Sequence, residues 1–509
     1  MKHHLLLYTD DLGIGGVAQF NHSLLCRLAE LGYRLSHVCA VRDPQLQQQE
    51  IARGIEQIEL DYHAGKDLTR TLKDLEGAKK IFSQTQPDTI VFSDGWPFSN
   101  FAAKQAAIDL GIPYAIVLGF IEPSCIRFTW HDESFYVELT RYYYARAQMT
   151  IAVSNENLRL LRHLFQLPAD LGQTIYNGRP AVYFQPPCWA NRRRLRQEFE
   201  IPEDAIVCFT AARMETLKGY QYQIEAMKCL KPLSIWSRIY FVWAGTGSES
   251  RYSNESKLKA AIARLGVAEH VKCIGQRRDI PDWLDASDIF VLPSLAEGMP
   301  LCVMEAMAKG LPTIASAVSG IPEQLGQTGK LLPDPKLDPT GTIRELVETI
   351  VKWGESPQLR QLIGLGCKRR AESLFKEERM LQEYAEAIDG MFSARNSTKG
   401  RSHRALTQSP QTHRELERHF RYSSLVWQGC YAYYREDPEK MVEYLLESLN
   451  YTPFLKVDTI SSWLKSAISF FQEKGEPLNV YRLSELPQWQ DLMGRTLGYR
   501  PVRSSRVRS

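Results

Sequence analysis

The sequence predicts an α/β protein with two doubly wound parallel-sheet domains that face each other across a cleft, followed by an all-helical C-terminal extension. Three observations lead to this prediction. Short apolar runs alternate with helical patterns over the first 180 residues, the alternation restarts near residue 206, and only helical patterns follow residue 412. Continuous apolar runs separated by helices are typical of parallel strands that are covered by helices on both faces.

Each predicted sheet depends on a set of short apolar runs. The runs of the first domain, residues 1–186, are LLLYT at Leu5–Thr9, TIVFSD at Thr89–Asp94, YAIVLG at Tyr114–Gly119 and TIAVS at Thr150–Ser154. The runs of the second domain, residues 187–392, are IVCFTAA from Ile206, IYFVWAG from Ile239, VKCIG from Val271, IFVLPS from Ile289 and TIASA from Thr313. The boundary falls in PPCWANRRR, Pro186–Arg194, because paired prolines interrupt the alternation there. A helical segment over residues 357–392 is expected to close the second domain.

The C-terminal region differs in composition from the two domains. Residues 393–412 are rich in Ser, Thr and Arg and predict a flexible linker. Residues 413–500 are predicted to be helical, and the spacing of Gly429 and Pro453 resembles one tetratricopeptide-type unit. Two interpretations stay open for this region: a module that binds a protein partner, or a helical appendage packed on the enzyme. The basic tail, residues 501–509, is expected to be solvated or to contact an anionic membrane surface.

Composition excludes several classes of protein. A net charge of +3 over 509 residues is too small to indicate nucleic-acid binding. The ten cysteines are scattered, with none within four residues of another, so neither a zinc knuckle nor a CxxC redox pair is expected. The apolar run near the N-terminus is too short for a signal peptide, and no run is long enough for a transmembrane helix. We therefore expect a cytoplasmic enzyme.

The most informative segment begins at Ile289 and includes EGMPLCVMEAMAKGLP. A buried strand ends at Ser294, and a helix opens near Pro300. Ligands bind at the carboxyl ends of strands in doubly wound folds, and the free N–H groups of a helix start favour an anion such as diphosphate. Glu297 precedes this helix and Glu305 lies within it, and carboxylates suit sugar hydroxyls as partners. The alternative is that Glu297 caps the helix and Glu305 is solvated.

Two cations occupy one strand-to-helix loop, RMETLKG. Arg213 and Lys218 in this loop would neutralise a diphosphate without a metal ion. The sequence has no DxD pair suited to holding Mg²⁺ on a nucleotide, so no metal and no separate cofactor are expected. The next strand ends in AGTG, where Gly245 and Gly247 permit close approach of a ligand to the backbone, with a simple turn as the alternative.

A glycine-rich segment, GIGGVAQFN, follows the first strand and opens a helix. As a dinucleotide-binding fingerprint it fails, because Ala18 replaces the third glycine and the spacing differs. This argues against a dehydrogenase. Asp10 and Asp11, directly after the first strand, are expected to shape a turn.

Taken together, these motifs resemble those of the retaining glycosyltransferases of family 4, which have the two-domain GT-B fold. The resemblance covers about residues 3–392. Its most specific element is EGMPLCVMEAMAKGLP, an E-x7-E motif in its usual setting. TAARMETLKG, AGTG, VKCIG and YNGRP match further markers of the family in register.

The resemblance implies that a hexose passes from a nucleoside diphosphate sugar, most simply a UDP- or GDP-sugar, to a glycan, lipid or small-molecule acceptor. It further implies retention of configuration without a metal. Arg213 and Lys218 would hold the diphosphate, Glu305 the ribose hydroxyls and Glu297 the sugar hydroxyls. The glycine and backbone positions that would support the donor are Gly298, Met299 and Leu301 in the second domain and Gly15 and Gly16 in the first. A lipid acceptor would bring the first domain to the inner face of the membrane.

One position departs from the family. Family members carry a histidine after the strand that corresponds to YAIVLG, where this sequence has Gly119 and Phe120. His131 in TWHDES is the nearest candidate for that catalytic role, with a helix cap or surface residue as the alternative. Three hypotheses follow: a hexosyltransferase, a nucleotide-sugar-binding scaffold protein without turnover, and an epimerase or hydrolase on the same fold.

Overall fold

The computed structural model describes residues 3–11, 15–40, 42–63, 70–71, 74–122, 133–247, 253–397, 410–452, 455–473 and 478–497. The chain forms two compact units. One unit contains both sheets and extends to residue 394, and the other contains most of helix Glu133–Tyr144 and the helices after residue 410. His131 and the basic tail lie outside the described residues.

The first sheet has seven parallel strands in the order β3-β2-β1-β4-β5-β6-β7. The strands are β1 His4–Tyr8, β2 Arg34–Cys39, β3 Glu56–Glu59, β4 Thr89–Asp94, β5 Tyr114–Leu118, β6 Met149–Ala152 and β7 Gly172–Thr174. The helices of this half of the chain are α1 Gly16–Glu30, α2 Pro44–Ala52, α3 Leu75–Thr85, α4 Phe101–Asp109, α5 Glu133–Tyr144 and α6 Asn155–Phe165. β1, β4 and β5 are buried along their whole length, as their apolar runs predict.

The second sheet has six parallel strands in the order β10-β9-β8-β11-β12-β13. They are β8 Ile206–Ala211, β9 Ile239–Ala244, β10 Val271–Gly275, β11 Ile289–Leu292, β12 Thr313–Ser316 and β13 Lys330–Leu332. The helices that follow β7 are α7 Trp189–Glu198, α8 Tyr220–Leu230, α9 Glu255–Leu265, α10 Ile280–Ala286, α11 Leu301–Ala308, α12 Ile321–Leu325, α13 Pro339–Glu355, α14 Pro357–Leu374 and α15 Glu377–Ser397. The prediction of two doubly wound parallel sheets is confirmed.

The closing helix departs from its predicted place. The sequence assigns residues 357–392 to the second domain, yet the apolar face of α15 packs on the first sheet. Met380, Tyr384, Ile388, Met391 and Phe392 share a buried cluster with side chains of β1, β2, β4 and β5. α14 does belong to the second domain, where Cys367 and Ala371 are buried against its sheet. The chain therefore crosses between the domains twice, before α7 and between α14 and α15.

The two crossings lie side by side and are joined by backbone hydrogen bonds. Arg179 N donates to Phe375 O over 2.8 Å, and Glu377 N donates to Arg179 O over 3.0 Å. A Cβ added at Gly178 would lie 2.6 Å from Lys376 O, so only glycine permits this approach of the two segments. These two segments are the connections between the domains, and we refer to them as the hinge.

The C-terminal unit is helical, as predicted. Its helices after residue 410 are α16 Pro410–Tyr434, α17 Pro438–Ser448, α18 Lys456–Glu473, α19 Val480–Glu485 and α20 Pro487–Leu497. α16 and α17 pack closely, since a Cβ added at Gly429 would lie 2.9 Å from Leu445 Cγ. Trp463, Trp489 and Leu492 complete the core. Of the predicted linker, residues 393–397 extend α15 and residues 410–412 begin α16. The partner-binding role of this unit stays a prediction, as do the domain boundaries.

A buried polar network joins β1 to β4, at the point where the strand order of the first sheet reverses. Asp10 and Asn100 exchange hydrogen bonds of 2.8 Å between backbone N–H groups and side-chain oxygens. Asp94 accepts from Lys104 Nζ over 2.6 Å and from Tyr144 Oη over 2.8 Å. Asp10 thus fixes the turn after β1.

We expect Asp10 to give stability a pH dependence. Burial raises the pKa of Asp10 to about 7. This pKa lies above that of Asp10 in the unfolded chain. The contribution of the protonated carboxyl group to the free energy of unfolding is therefore fully present below about pH 4 and is lost as the pH rises through 7. Asp10→Asn removes the titrating group. Urea unfolding at about pH 4 and pH 7 should therefore show that the free energy of unfolding of Asp10→Asn, relative to that of wild type, rises with pH. The same difference at both pH values would contradict this prediction.

Candidate functional site

The site lies at the carboxyl end of the second sheet, where β11 leads into α11. The segment between them contains Glu297 and Gly298, and α11 begins at Leu301 with Pro300 at its N-cap. The first N–H groups of a helix have no partner within the helix, so this start is suited to an anion. Met299 is buried in the core of the domain.

Lys218 and Glu297 form the charged centre of the site. Lys218 Nζ lies 2.8 Å from Glu297 Oε1 and 2.9 Å from Oε2. Ser294 Oγ also donates to Glu297 Oε1, over 2.8 Å. Glu297 is only 7% exposed, whereas the side chain of Lys218 is 20% exposed. Lys218 therefore neutralises a buried carboxylate, and part of its side chain reaches solvent.

Backbone contacts bring together the loop that contains Lys218 and the loop that contains Glu297. β8 ends at Ala211, and a short 3-10 turn, Thr216–Lys218, precedes Gly219. Gly219 has φ of 74°, and an added Cβ would overlap the carbonyl oxygen of Pro293. Leu295 N donates to Leu217 O over 2.8 Å. Any larger residue at Gly219 would push the Lys218 loop away from Glu297.

Arg213, the second predicted cation, is more exposed than Lys218. Its side chain is 59% exposed and lies 2.9 Å from Glu215 Oε1. Glu215 is buried, with 3% of its side chain exposed, and was not identified from the sequence. Both predicted cations thus lie in one loop, each with a carboxylate partner.

Glu305 is held by a residue that sequence reasoning did not single out. Arg179 Nη2 lies 2.7 Å from Glu305 Oε1, and both side chains are buried. Arg179 also stacks over the Tyr183 ring, at 4.9 Å from its centroid. Burial and the nearby Glu305 carboxylate raise the pKa of Tyr183. Glu305 is therefore not the solvated helix position of the alternative interpretation. The only signal for Arg179 was its place in the YNGRP motif.

The glycines of AGTG lie against the backbone of the neighbouring loop that contains Arg213. A Cβ added at Gly245 would overlap Ala212 O, and one at Gly247 would lie 2.9 Å from Met214 O. Gly247 N donates to Glu255 Oε2 over 2.7 Å. These glycines bring the strand end against the Arg213 loop, and their contact with a donor stays a prediction.

Glycines also mediate the contact between the two domains. A Cβ added at Gly298 would overlap the carbonyl oxygen of Gly119 and lie 3.1 Å from its carbonyl carbon. A Cβ added at Gly16 would lie 3.3 Å from Leu301 Cδ1, and Gly15 has a positive φ of 88°. The predicted glycine loop of the first domain therefore faces the start of α11.

Side chains at the domain contact form further hydrogen bonds. Glu323 of the second domain accepts from the backbone N–H groups of Asn155 and Glu156, over 2.9 and 2.8 Å, at the start of α6. Arg278 Nη2 lies 3.2 Å from Asp43 Oδ2 of the first domain. The two domains are thus in contact around the site.

The first domain contains a small pocket, with room for about one water molecule, beside the carboxyl ends of β1 and β2. Its lining includes Asn21, His37, Arg42, Leu46 and Glu50. Glu50 accepts from both His37 Nδ1 and Gln57 Nε2, and Arg42 donates to the carbonyl of His37.

Among the described residues, no group of His, Cys, Asp and Glu is placed to hold a metal ion. None of the described helices has the length and hydropathy to cross a membrane.

Two family models match the two domains separately. One, described as "Glycosyltransferase Family 4", matches residues 14–181, and the other, "Glycosyl transferases group 1", matches residues 205–351. Among curated proteins, the D-inositol 3-phosphate glycosyltransferase of Streptomyces coelicolor is 31% identical over 190 residues, which cover 36% of this chain and 40% of that protein. The lipopolysaccharide core biosynthesis mannosyltransferase LpsB of Rhizobium meliloti is 31% identical over 150 residues, 29% of this chain and 41% of that protein. The chain thus spans less than half the length of these relatives.

Solved structures share the fold at lower sequence identity. A glycosyltransferase from Rickettsia africae superposes with a TM-score of 0.62 and 19% identity, over 77% of this chain and 99% of that one. Anabaena Alr3699/HepE in complex with UDP gives a TM-score of 0.61 and 20% identity, over 76% of this chain and 100% of that one. At this identity the likeness establishes the fold.

Proposed function

Because this chain belongs to the glycosyltransferases of group 1 and family 4, we propose that it transfers a hexose from a nucleoside diphosphate sugar to a hydroxyl group of an acceptor. The supporting observation is the arrangement around α11, where Lys218, Glu297 and Glu305 meet a helix start at the carboxyl end of a parallel sheet. We further propose that transfer retains the anomeric configuration and needs no metal ion.

The charges of the site suit departure of a nucleoside diphosphate. As the bond between the anomeric carbon and the phosphate oxygen breaks, negative charge grows on the diphosphate. Lys218, Arg213 and the N–H groups at the start of α11 would stabilise that charge, which is where a transferase gains most rate. The acceptor oxygen forms the new bond on the same face of the sugar, and its proton passes to the departing phosphate oxygen. Glu297, held by Lys218 and Ser294, would orient the sugar hydroxyls.

Glu305 would bind the two ribose hydroxyls of the nucleotide. Arg179 contacts Oε1, which fixes the orientation of the carboxylate. UDP is the first nucleotide to test, because Anabaena HepE was solved with UDP and with UDP-glucose. GDP and ADP are the comparisons, and a thermal-shift screen of the three distinguishes them, since a ligand that binds the folded state raises the melting temperature.

Glu305→Ala is expected to weaken nucleotide binding by about tenfold to a hundredfold, the range for losing a hydrogen bond to a charged group. Calorimetric titration of the preferred nucleotide measures the loss. Glu305→Gln preserves an acceptor for Arg179. It therefore tests whether the loss of affinity comes from the missing negative charge or from altered folding. Glu348→Ala, an exposed carboxylate on α13, is the matched control and should bind as wild type. Equal affinity of Glu305→Ala and Glu348→Ala would exclude the proposed ribose contact.

The acceptor would come from the side of the first domain. We propose that its pocket between α1 and α2 contributes to acceptor binding, since it lies at the carboxyl ends of β1 and β2 and includes Asn21 and Arg42, which can form hydrogen bonds with a hydroxyl group. Curated relatives include enzymes named for inositol phosphate, lipopolysaccharide core and diphosphoundecaprenol acceptors. A glycan, a lipid or a small polyol are therefore the acceptor classes to test, and a lipid acceptor would place the protein at a membrane surface.

A second candidate is a protein that binds nucleotide sugar without turnover. It is favoured by Gly119, which stands where the family carries a histidine and contacts Gly298 instead. Release of nucleoside diphosphate that depends on an added acceptor would establish the transferase. Tight donor binding with no such release would establish the binding protein.

A further inference from the structure

Arg179 connects three parts of the molecule. Its backbone belongs to the hinge, where it pairs with Phe375 and Glu377. Its guanidinium reaches Glu305 of the second domain over 2.7 Å. The same Nη2 atom donates over 3.0 Å to Gln19 Oε1, on α1 of the first domain. One side chain at the hinge therefore bridges the two domains through the carboxylate assigned to the ribose.

The guanidinium depends on these contacts. Arg179 is 6% exposed, and its Nε has no hydrogen-bond partner among the described residues. A buried charge with few partners is costly, so each remaining contact influences its position. Gln19 itself is exposed on the surface of α1. The contact with Gln19 is therefore the part of the network most easily lost when the domains separate.

We propose that Arg179 is a positioning residue that couples the approach of the first domain to nucleotide binding. When α1 lies over the site, Gln19 holds the guanidinium, and the guanidinium holds Glu305 in the orientation that accepts the ribose hydroxyls. When α1 withdraws, Arg179 and Glu305 lose that restraint. Linkage requires the reverse as well, so nucleotide bound at Glu305 favours the closed domain contact. This inference depends on the proposed function, because Glu305 must be the nucleotide contact.

The test is a double-mutant cycle on UDP affinity in the full chain, measured by calorimetric titration. Gln19→Ala, which removes an exposed side chain of the first domain, should weaken UDP binding by about threefold to tenfold. In an Arg179→Lys background, where the shorter reach and single ammonium cannot serve both partners, the same change should have no further effect. Circular dichroism confirms that each variant folds.

Ser23→Ala is the matched control. Ser23 lies one turn further along α1 and donates to Glu377 Oε1 over 2.7 Å, beside the hinge but without contact to the guanidinium. It should leave UDP affinity unchanged. The inference is overturned if Gln19→Ala binds UDP as wild type, if Ser23→Ala has the same effect, or if the loss persists in the Arg179→Lys background. If the wild-type protein does not bind UDP, both the inference and the UDP assignment are overturned. If it binds UDP but the double-mutant cycle shows no coupling between Gln19 and Arg179, the inference alone is overturned.

Discussion

Gly298→Ala is expected to lower sugar transfer at least about a hundredfold while the protein remains folded, because a displacement of about 1 Å between reacting groups already has that effect. The added Cβ would overlap the carbonyl oxygen of Gly119 and lie 3.1 Å from its carbonyl carbon. A backbone carbonyl in a sheet-connecting loop cannot turn aside as a flexible side chain can. The methyl group would therefore hold the first domain away from the start of α11.

The measurement separates closure from folding. Acceptor-dependent release of nucleoside diphosphate should fall, while the melting temperature changes little because each domain keeps its own core. Gly366→Ala on α14 is the matched control, since its added Cβ meets Thr328 side-chain atoms at 3.7 Å, an ordinary contact. Full activity in Gly298→Ala would show that transfer does not need this contact between the domains.

Lys218→Ala is expected to reduce turnover by about a hundredfold to a thousandfold. This is the range for removing a group that stabilises developing charge in a site from which water is excluded. Lys218 is both the neutralising partner of Glu297 and a cation at the position proposed for the diphosphate. Its loss leaves a buried carboxylate facing the anionic donor. Steady-state kinetics with the donor and acceptor measure the change.

Two comparisons make this result specific to Lys218. Lys228→Ala removes an exposed lysine of α8 that pairs with Glu225 over 2.7 Å and should leave turnover unchanged. Arg213→Ala should reduce turnover less than Lys218→Ala, because the Arg213 side chain is 59% exposed and solvent screens its charge. A Lys218→Ala enzyme with wild-type turnover would exclude the proposed diphosphate contact.

The sequence predicted the strands that contain an apolar run and missed β2, β3, β7 and β13, which are polar or short. β2, Arg34–Cys39, is buried along most of its length, but Ser36 and His37 break its apolar pattern. Ser36 Oγ and His37 Nδ1 form hydrogen bonds with distant residues, His4 and Glu50. β3, EQIE, is half-exposed at the sheet edge, and β7 has three residues. Local patterns contain no information about such partners.

The same distinction applies to the site. Lys218, Glu297 and Glu305 were identified because each follows a strand end or lies in a motif. The pairing of Lys218 with Glu297 could not be read from residues 79 positions apart, nor could the role of Glu215. Arg179 lies far from Glu305 along the chain and meets it because the segment that follows, Ala181–Phe184, contacts α11. His131, which lies outside the described residues, stays a prediction.

The return of α15 to the first sheet affects the order in which the chain can mature on the ribosome. The first domain is translated first, yet Met380, Tyr384 and Ile388 fill part of its core. At about 5–20 residues per second, the 206 residues between positions 186 and 392 need roughly 10–40 s of synthesis. We therefore expect the apolar face that α15 covers in the folded protein to stay exposed on the nascent first domain during that interval.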